Sequence, residues 1–178
     1  MKKSNLVITM LAASSITISS SFASEIRGDV DVSLTIGQGC AINGTTDAGA
    51  GINKFASVDF GEQSNLDLFI DAESTGSAGA GSIELTCNSS LAYNVSLDDG
   101  SNPQSGQRRV SRGGLDFVSY ELYQDAARSV RWGEGPESFA LTGTGAAQPL
   151  TIYGRVLAGQ TTPAAGDYLD TVRMTISW

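Results

Sequence analysis

The sequence contains no histidine. That absence excludes Ser-His-Asp hydrolysis, Cys-His proteases, HExxH zinc sites and most imidazole acid–base chemistry. Positive charge is scarce, with 11 Lys+Arg against 19 Asp+Glu and a net charge of −8. A phosphate backbone would repel such a chain, so no nucleic-acid partner is expected. Aromatic residues make up 7% and offer no hint of a stacking platform. Cysteine occurs twice, too few for a metal centre, and no base stands by to activate a catalytic thiol. No long window sets apolar residues among Glu, Lys and Ala at helical spacing. These absences argue against an ordinary cytoplasmic enzyme. No catalytic residue, metal or cofactor is expected, and 178 residues suit one domain.

The first residues have the order of an export signal. Met1-Lys2-Lys3 is positive, an apolar run extends from Leu6 to Ile18, and Ser21-Phe22-Ala23 supplies small residues around a variable one. Thr9, Ser14, Ser15 and Thr17 interrupt the run, which is short for a bilayer span. The competing interpretation is a buried strand or helix of the mature fold. Residues 1–23 are therefore expected to be a signal peptide. Cleavage after Ala23 would remove Lys2 and Lys3, leave Lys54 as the sole lysine and deepen the net charge from −8 to −10. Cys40 and Cys87 both lie beyond that point, and an even count in an oxidising compartment reads as one disulfide.

Alternation of period two recurs along the remainder, as half-buried strands require. Val58 and Phe60 alternate with Ser57 and Asp59; Leu66, Leu68, Ile70 and Ala72 share one parity. Ile83, Leu85 and Cys87 share another, followed by Tyr93, Val95 and Leu97 before the turn Asp98-Asp99-Gly100. Val118, Tyr120 and Leu122 alternate, with Phe117 and Tyr123 on the opposite face, and Leu150, Ile152 and Val156 form a further inward set. Ser74 to Ser82 and Gly143 to Gln148 read as turns or loops, and Asp125 to Arg131 as a short helical turn. Short strands with Gly-rich turns predict an all-β antiparallel sandwich in one domain.

Both ends depart from an ordinary closed sandwich. From Ile26 to Ile36 the even positions are Ile, Gly, Val, Val, Leu and Ile, and the odd positions are polar or charged through Thr35. Fully extended, this segment would reach about 36 Å, roughly twice a typical strand. It reads either as one long first strand or as a strand serving two sheets, and periodicity does not choose between them. At the other end Val172, Met174, Ile176 and Trp178 alternate with Arg173, Thr175 and Ser177. Only Arg173 blunts this strand as an edge, and it contains no proline. A long extension and an unprotected edge together suggest strand exchange between copies.

The mature chain resembles the spore coat protein U domain family, and within it the major pilins of archaic (Csu-type) chaperone–usher pili. The resemblance rests on the alternating N-terminal strand leading into Gly39-Cys40, on Asn53-Lys54-Phe55 before Val58-Asp59-Phe60-Gly61, and on Ile83-Glu84-Leu85-Thr86-Cys87. It continues through the run from Tyr120 to Arg128 and through Gly166-Asp167-Tyr168-Leu169-Asp170-Thr171 before the last strand. The resemblance implies an incomplete immunoglobulin-like sandwich that lacks its last strand. A periplasmic chaperone first fills the gap, and the N-terminal strand of a neighbouring subunit replaces it at the outer-membrane usher. On that pattern residues 24–35 are the donor strand and residues 36–178 the pilin domain. Ile26, Val30, Val32 and Leu34 would enter the neighbour, with Gly28 in the same phase. Val172, Met174, Ile176 and Trp178 would border the acceptor groove and face the chaperone, together with an early strand starting near Ile36. Burying four such donor side chains contributes roughly 6–12 kcal/mol gross. A head-to-tail contact of this kind does not close and propagates as a fibre.

The implied role is a structural subunit of an adhesive surface pilus, exported through the periplasm and supporting attachment and biofilm formation. Its partners would be copies of itself or related pilins, the chaperone, the usher and a tip adhesin subunit. The alternatives are a minor or tip surface-binding, lectin-like subunit or a secreted coat protein. Arg108, Arg109 and Arg112 form a small basic cluster, expected as a solvated turn or as intersubunit ion pairs. Asp98, Asp99, Asp167 and Asp170 lack any EF-hand pattern that would make them calcium ligands.

Overall fold

The computed structural model describes residues 25–42, 54–76 and 83–178. The expected signal peptide lies outside them. The chain divides into two units, Met1–Thr35 and Ile36–Trp178.

Eleven strands occur among the described residues, all in the second unit: β1 (Cys40–Ile42), β2 (Ala56–Val58), β3 (Ile70–Gly76), β4 (Ile83–Cys87), β5 (Ala92–Leu97), β6 (Arg108–Arg112), β7 (Asp116–Tyr123), β8 (Phe139–Thr142), β9 (Ala147–Leu150), β10 (Tyr153–Val156) and β11 (Met174–Ser177). They form three sheets in the orders β1-β4-β9, β2-β3-β10-β7-β6 and β11-β5-β8. Every pairing is antiparallel. The all-β antiparallel class expected from the alternation is therefore present. The first two sheets share one stretch of chain, since β9 runs into β10 through Thr151 and Ile152. There the buried Ser74 replaces a ladder partner: its Oγ accepts from Ile152 N at 2.9 Å, and its N–H donates to Ile152 O at 2.8 Å.

The inward parities are those of the sequence in the central strands. Ile83, Leu85 and Cys87 of β4, Tyr93, Val95 and Leu97 of β5, and Val118, Tyr120 and Leu122 of β7 are all buried in one core with Leu150, Ile152 and Val156. All three sheets contribute to it, so the burial is cooperative rather than local. Trp132 is fully buried beside them; its Nε1–H donates to Val95 O at 2.8 Å and its ring meets Phe139 edge to face at 5.4 Å. Cys40 and Cys87 are disulfide-bonded and lie directly opposite one another in the β1–β4 register.

Several expectations are corrected. Residues 25–39 belong to no strand, so β1 begins at Cys40 rather than near Ile36. The parity from Leu66 to Ala72 is not one strand. Asn65 accepts from Asp67 N through its side chain, the chain turns there, Leu68 is exposed, and β3 starts only at Ile70. Asp125 to Arg131 is a non-helical turn, because the Asp125 carboxylate takes the N–H groups of Ser129 and Val130 and Arg128 adopts a φ of 56°. Those donors hold the Asp125 carboxyl below its ordinary range, Val130 N–H contributing most. Of the expected loops, Ser74 belongs to β3 and residues 77–82 lie outside the described ones.

Replacing both Cys40 and Cys87 by Ser should lower stability by about 4 kcal/mol, the loop-closure contribution of a link across 47 residues. Urea unfolding of the oxidised protein and of the double variant measures this; coincident midpoints would contradict it.

Candidate assembly surface

β11 is an end strand. One side pairs with β5, Met174 opposite Leu97 and Ile176 opposite Val95; among the described residues no strand pairs with the other side. Its side chains alternate as expected. Val172, Met174 and Ile176 are half-buried and pack against the core, whereas Arg173, Thr175 and Ser177 are exposed. β1 is likewise the end strand of its sheet, with Cys40 and Ile42 half-buried against the same core. Both strands thus present apolar surface that the chain does not fully cover.

A set of polar groups, half-buried at Asp98 and Asp170, fixes the approach to β11. The Asp98 N–H donates to Arg173 O at 3.0 Å, and the Asp98 carboxylate accepts from Arg173 N at 2.9 Å and Gly100 N at 3.0 Å. Asp170 accepts from Ser101 N at 2.8 Å and from the Tyr120 hydroxyl at 2.6 Å. Burial, and then the Asp170 carboxylate, push the Tyr120 phenol well above its ordinary range, so it remains a proton donor. Gly100 has a φ of +80°, and a Cβ there would lie 2.1 Å from Asp170 Oδ2, so a side chain at this turn would be strained and would displace the Asp170 carboxylate. Upstream, Tyr168 donates its hydroxyl to Ala164 O at 2.7 Å and closes the preceding loop. The carboxylates Asp98 and Asp170 are therefore occupied in shaping backbone, and Asp99 pairs with Arg131 at 2.8 Å.

The basic cluster is not a solvated turn: it is strand β6. Arg108 has no exposed surface at all. It stands opposite Tyr120, on the inward face, and reaches across to the third sheet. Its guanidinium donates to Leu97 O at 3.0 Å, to Asp98 O at 2.8 Å and to the Glu121 carboxylate at 2.5 Å. Glu121 also binds Arg131 at 2.9 Å, and Arg131 pairs with Glu137. A charge at that depth persists only with such partners. Arg112 pairs within the chain with Asp116, and Arg109 lies 4.1 Å over the Phe117 ring. Sequence reasoning missed Arg108 as a core residue; the signal available was its alternation with Val110 in a strand otherwise full of arginine.

The expected donor residues lie in the first unit. Ile26, Val30, Val32 and Leu34 are 96%, 85%, 92% and 85% exposed. These are high values for four apolar side chains in one phase. Trp178 falls one residue beyond β11 and is 57% exposed, at an open depression of about 370 Å³ that it lines with Asn94, Thr142 and Ser177. It thus differs from Met174 and Ile176, which keep the inward phase.

Fold and surface together define an antiparallel all-β domain whose end strands β1 and β11 each pair on one side only among the described residues, preceded by an N-terminal segment of alternating apolar and polar residues. The Spore Coat Protein U domain model matches residues 26–175, and the chain belongs to that family. It is 28% identical to Protein U of Myxococcus xanthus over 187 aligned residues, covering 99% of this chain and 98% of that protein. Among solved structures it is similar to a chaperone–tip adhesion subunit pre-assembly complex from the archaic chaperone–usher Csu pili of Acinetobacter baumannii. The identity is 20%, the TM-score 0.48, and the match covers 81% of this chain. This chain spans 40% of the length of that structure's chain.

Glu121→Leu would leave the Arg108 guanidinium buried without its counter-ion, and the loss of stability is expected to be about 3–5 kcal/mol. Arg112→Leu, at the exposed end of the same strand, should cost less than about 1 kcal/mol. Denaturant melts of the two variants compare them; equal losses would contradict the assignment.

Proposed function

We propose that this chain is a structural subunit of a surface fibre assembled by the chaperone–usher pathway through donor-strand exchange. The observation that carries this reading is the pairing of two incomplete parts. Residues 26–34 hold an in-phase apolar row in water, and β11 holds an apolar row beside a side that no described strand pairs. An extended segment laid along β11 would supply backbone hydrogen bonds to that side and cover Val172, Met174 and Ile176 with Ile26, Val30, Val32 and Leu34. The result is an immunoglobulin-like sandwich completed by a strand from elsewhere. Because donor and acceptor lie at opposite ends of the sequence, each copy can give to one neighbour and receive from another, which builds a head-to-tail fibre.

The partners are then further copies or related pilins, a periplasmic chaperone that covers the edge of β11 until assembly, an outer-membrane usher and a tip subunit. Residues 1–23 direct export, and the fibre at the cell surface supports attachment and biofilm growth. The role is mechanical rather than catalytic. A secreted coat protein using the same strand contacts is the second reading, favoured by the end-to-end match to Protein U.

Deleting residues 24–35 behind an intact export signal should leave a folded, oxidised domain that forms no head-to-tail ladder on size analysis. The undeleted chain should give ladders and fibres. Fibres from the deleted chain, or a monomer from the complete one under all conditions, would overturn the reading. Sheets or layers in place of fibres would favour the coat protein.

A further inference from the structure

Every arginine of the chain lies among the described residues, and seven of the eight have partners for their guanidinium groups. Arg27 binds Glu25, Arg108 Glu121, Arg112 Asp116, Arg128 and Arg155 Asp71, and Arg131 three carboxylates. Arg109 binds Gln104 and the Asn102 carbonyl. Arg173 is the exception. Its backbone is held by Asp98, but its exposed guanidinium makes no ion pair or hydrogen bond among the described residues. It occupies the outward phase at the entrance to β11, the strand whose other side pairs with no strand among the described residues. Several exposed carboxylates likewise make no ion pair among the described residues, and two of them, Asp29 and Asp31, lie in the outward phase of the N-terminal segment and flank Val30.

We infer that Arg173 of one copy pairs with Asp29 or Asp31 of the next copy and sets the register of strand exchange. The inference rests on the donor-strand reading above and deepens it. With apolar residues facing inward on both strands, odd positions must face odd positions, because side chains alternate with period two. In an antiparallel arrangement, Arg173 opposite Asp31 places Val30 opposite Met174 and Val32 opposite Val172. In a parallel arrangement, Arg173 opposite Asp29 places Val30 opposite Met174 and Val32 opposite Ile176. Either direction thus brings an acid to Arg173 when Val30 meets Met174. A slip of one residue would turn Asp29 and Asp31 into the core, at prohibitive desolvation cost. A slip of two keeps the apolar phase, so hydrophobic burial alone discriminates poorly against it. Charge narrows the choice to the two registers that set Asp29 or Asp31 against Arg173, since slipping beyond the acidic pair sets Ser33 or the like-charged Arg27 there. A lone basic residue on an open edge also deters pairing with its own kind, two copies of Arg173 repelling one another.

The test is a charge-reversal cycle on the full exported chain. Fluorescent peptides copying residues 25–36, one unaltered and one carrying Asp29→Lys and Asp31→Lys, are titrated against the unaltered protein and against Arg173→Glu, with anisotropy as the readout. Each single reversal should raise Kd by about three- to tenfold, and the combined reversal should restore most of the loss. The differences should shrink as salt is added. Arg173→Gln should bind the two peptides with nearly equal affinity, which keeps the test valid if Arg173→Glu folds poorly. Equal Kd values in all four combinations would overturn the charge pair and leave strand completion standing. No binding of the unaltered peptide to the monomeric fraction of the unaltered protein would overturn both.

Discussion

A β-strand presents backbone hydrogen-bonding groups on both sides, and in β11 only one side is bonded to a strand among the described residues. Beneath it Met174 and Ile176 reach the core without being sealed by it. Backbone polar groups can turn to water, but apolar side chains at a sheet margin cannot, so the demand is for a strand rather than a loop or a helix. The rest of the molecule is arranged around that demand. On the proposed reading the apolar row of residues 26–34, exposed in this structure, answers it with the same period.

If β11 borders an acceptor, as proposed, that acceptor must hold its shape before it is filled. Arg108 does much of that from inside: by bonding Leu97 O, Asp98 O and Glu121 it locks the end of β5 to β6 and β7. Asp98 and Asp170 then deliver the chain into β11 through fixed backbone contacts. On β1 the Cys40–Cys87 bond fastens the strand to β4 at the point where β1 starts. For the proposed association, inner margins held in this way would lower the ordering cost, because only the incoming segment must be immobilised.

The central strands were readable because period-two burial is a one-dimensional signal. In β4, β5 and β7 each inward residue is apolar and each strand is bounded by a turn. Leu68 failed the same test because the Asn65 side chain bends the chain before β3, and parity carries no information across a turn. Trp132 gave no periodic signal at all; it sits between turn residues and is buried by contacts from Val95 and Phe139, distant in sequence. Arg108 was missed for the opposite reason. Its charge predicts exposure, and only the three-dimensional meeting of Glu121 with the ends of β5 reverses that. The open margins were partly legible: Val172 to Ile176 kept their expected phase, while residues 26–36 form no strand in this structure.

Amide hydrogen exchange tests the central claim most directly, comparing the exported chain as monomer with the same chain in its assembled form. The account predicts that the amides of residues 26–34 and the outward-bonding amides of β11 pass from fast to slow exchange together on assembly, while those of β5 and β7 are slow in both forms. Fast exchange of residues 26–34 in the assembled form would contradict it.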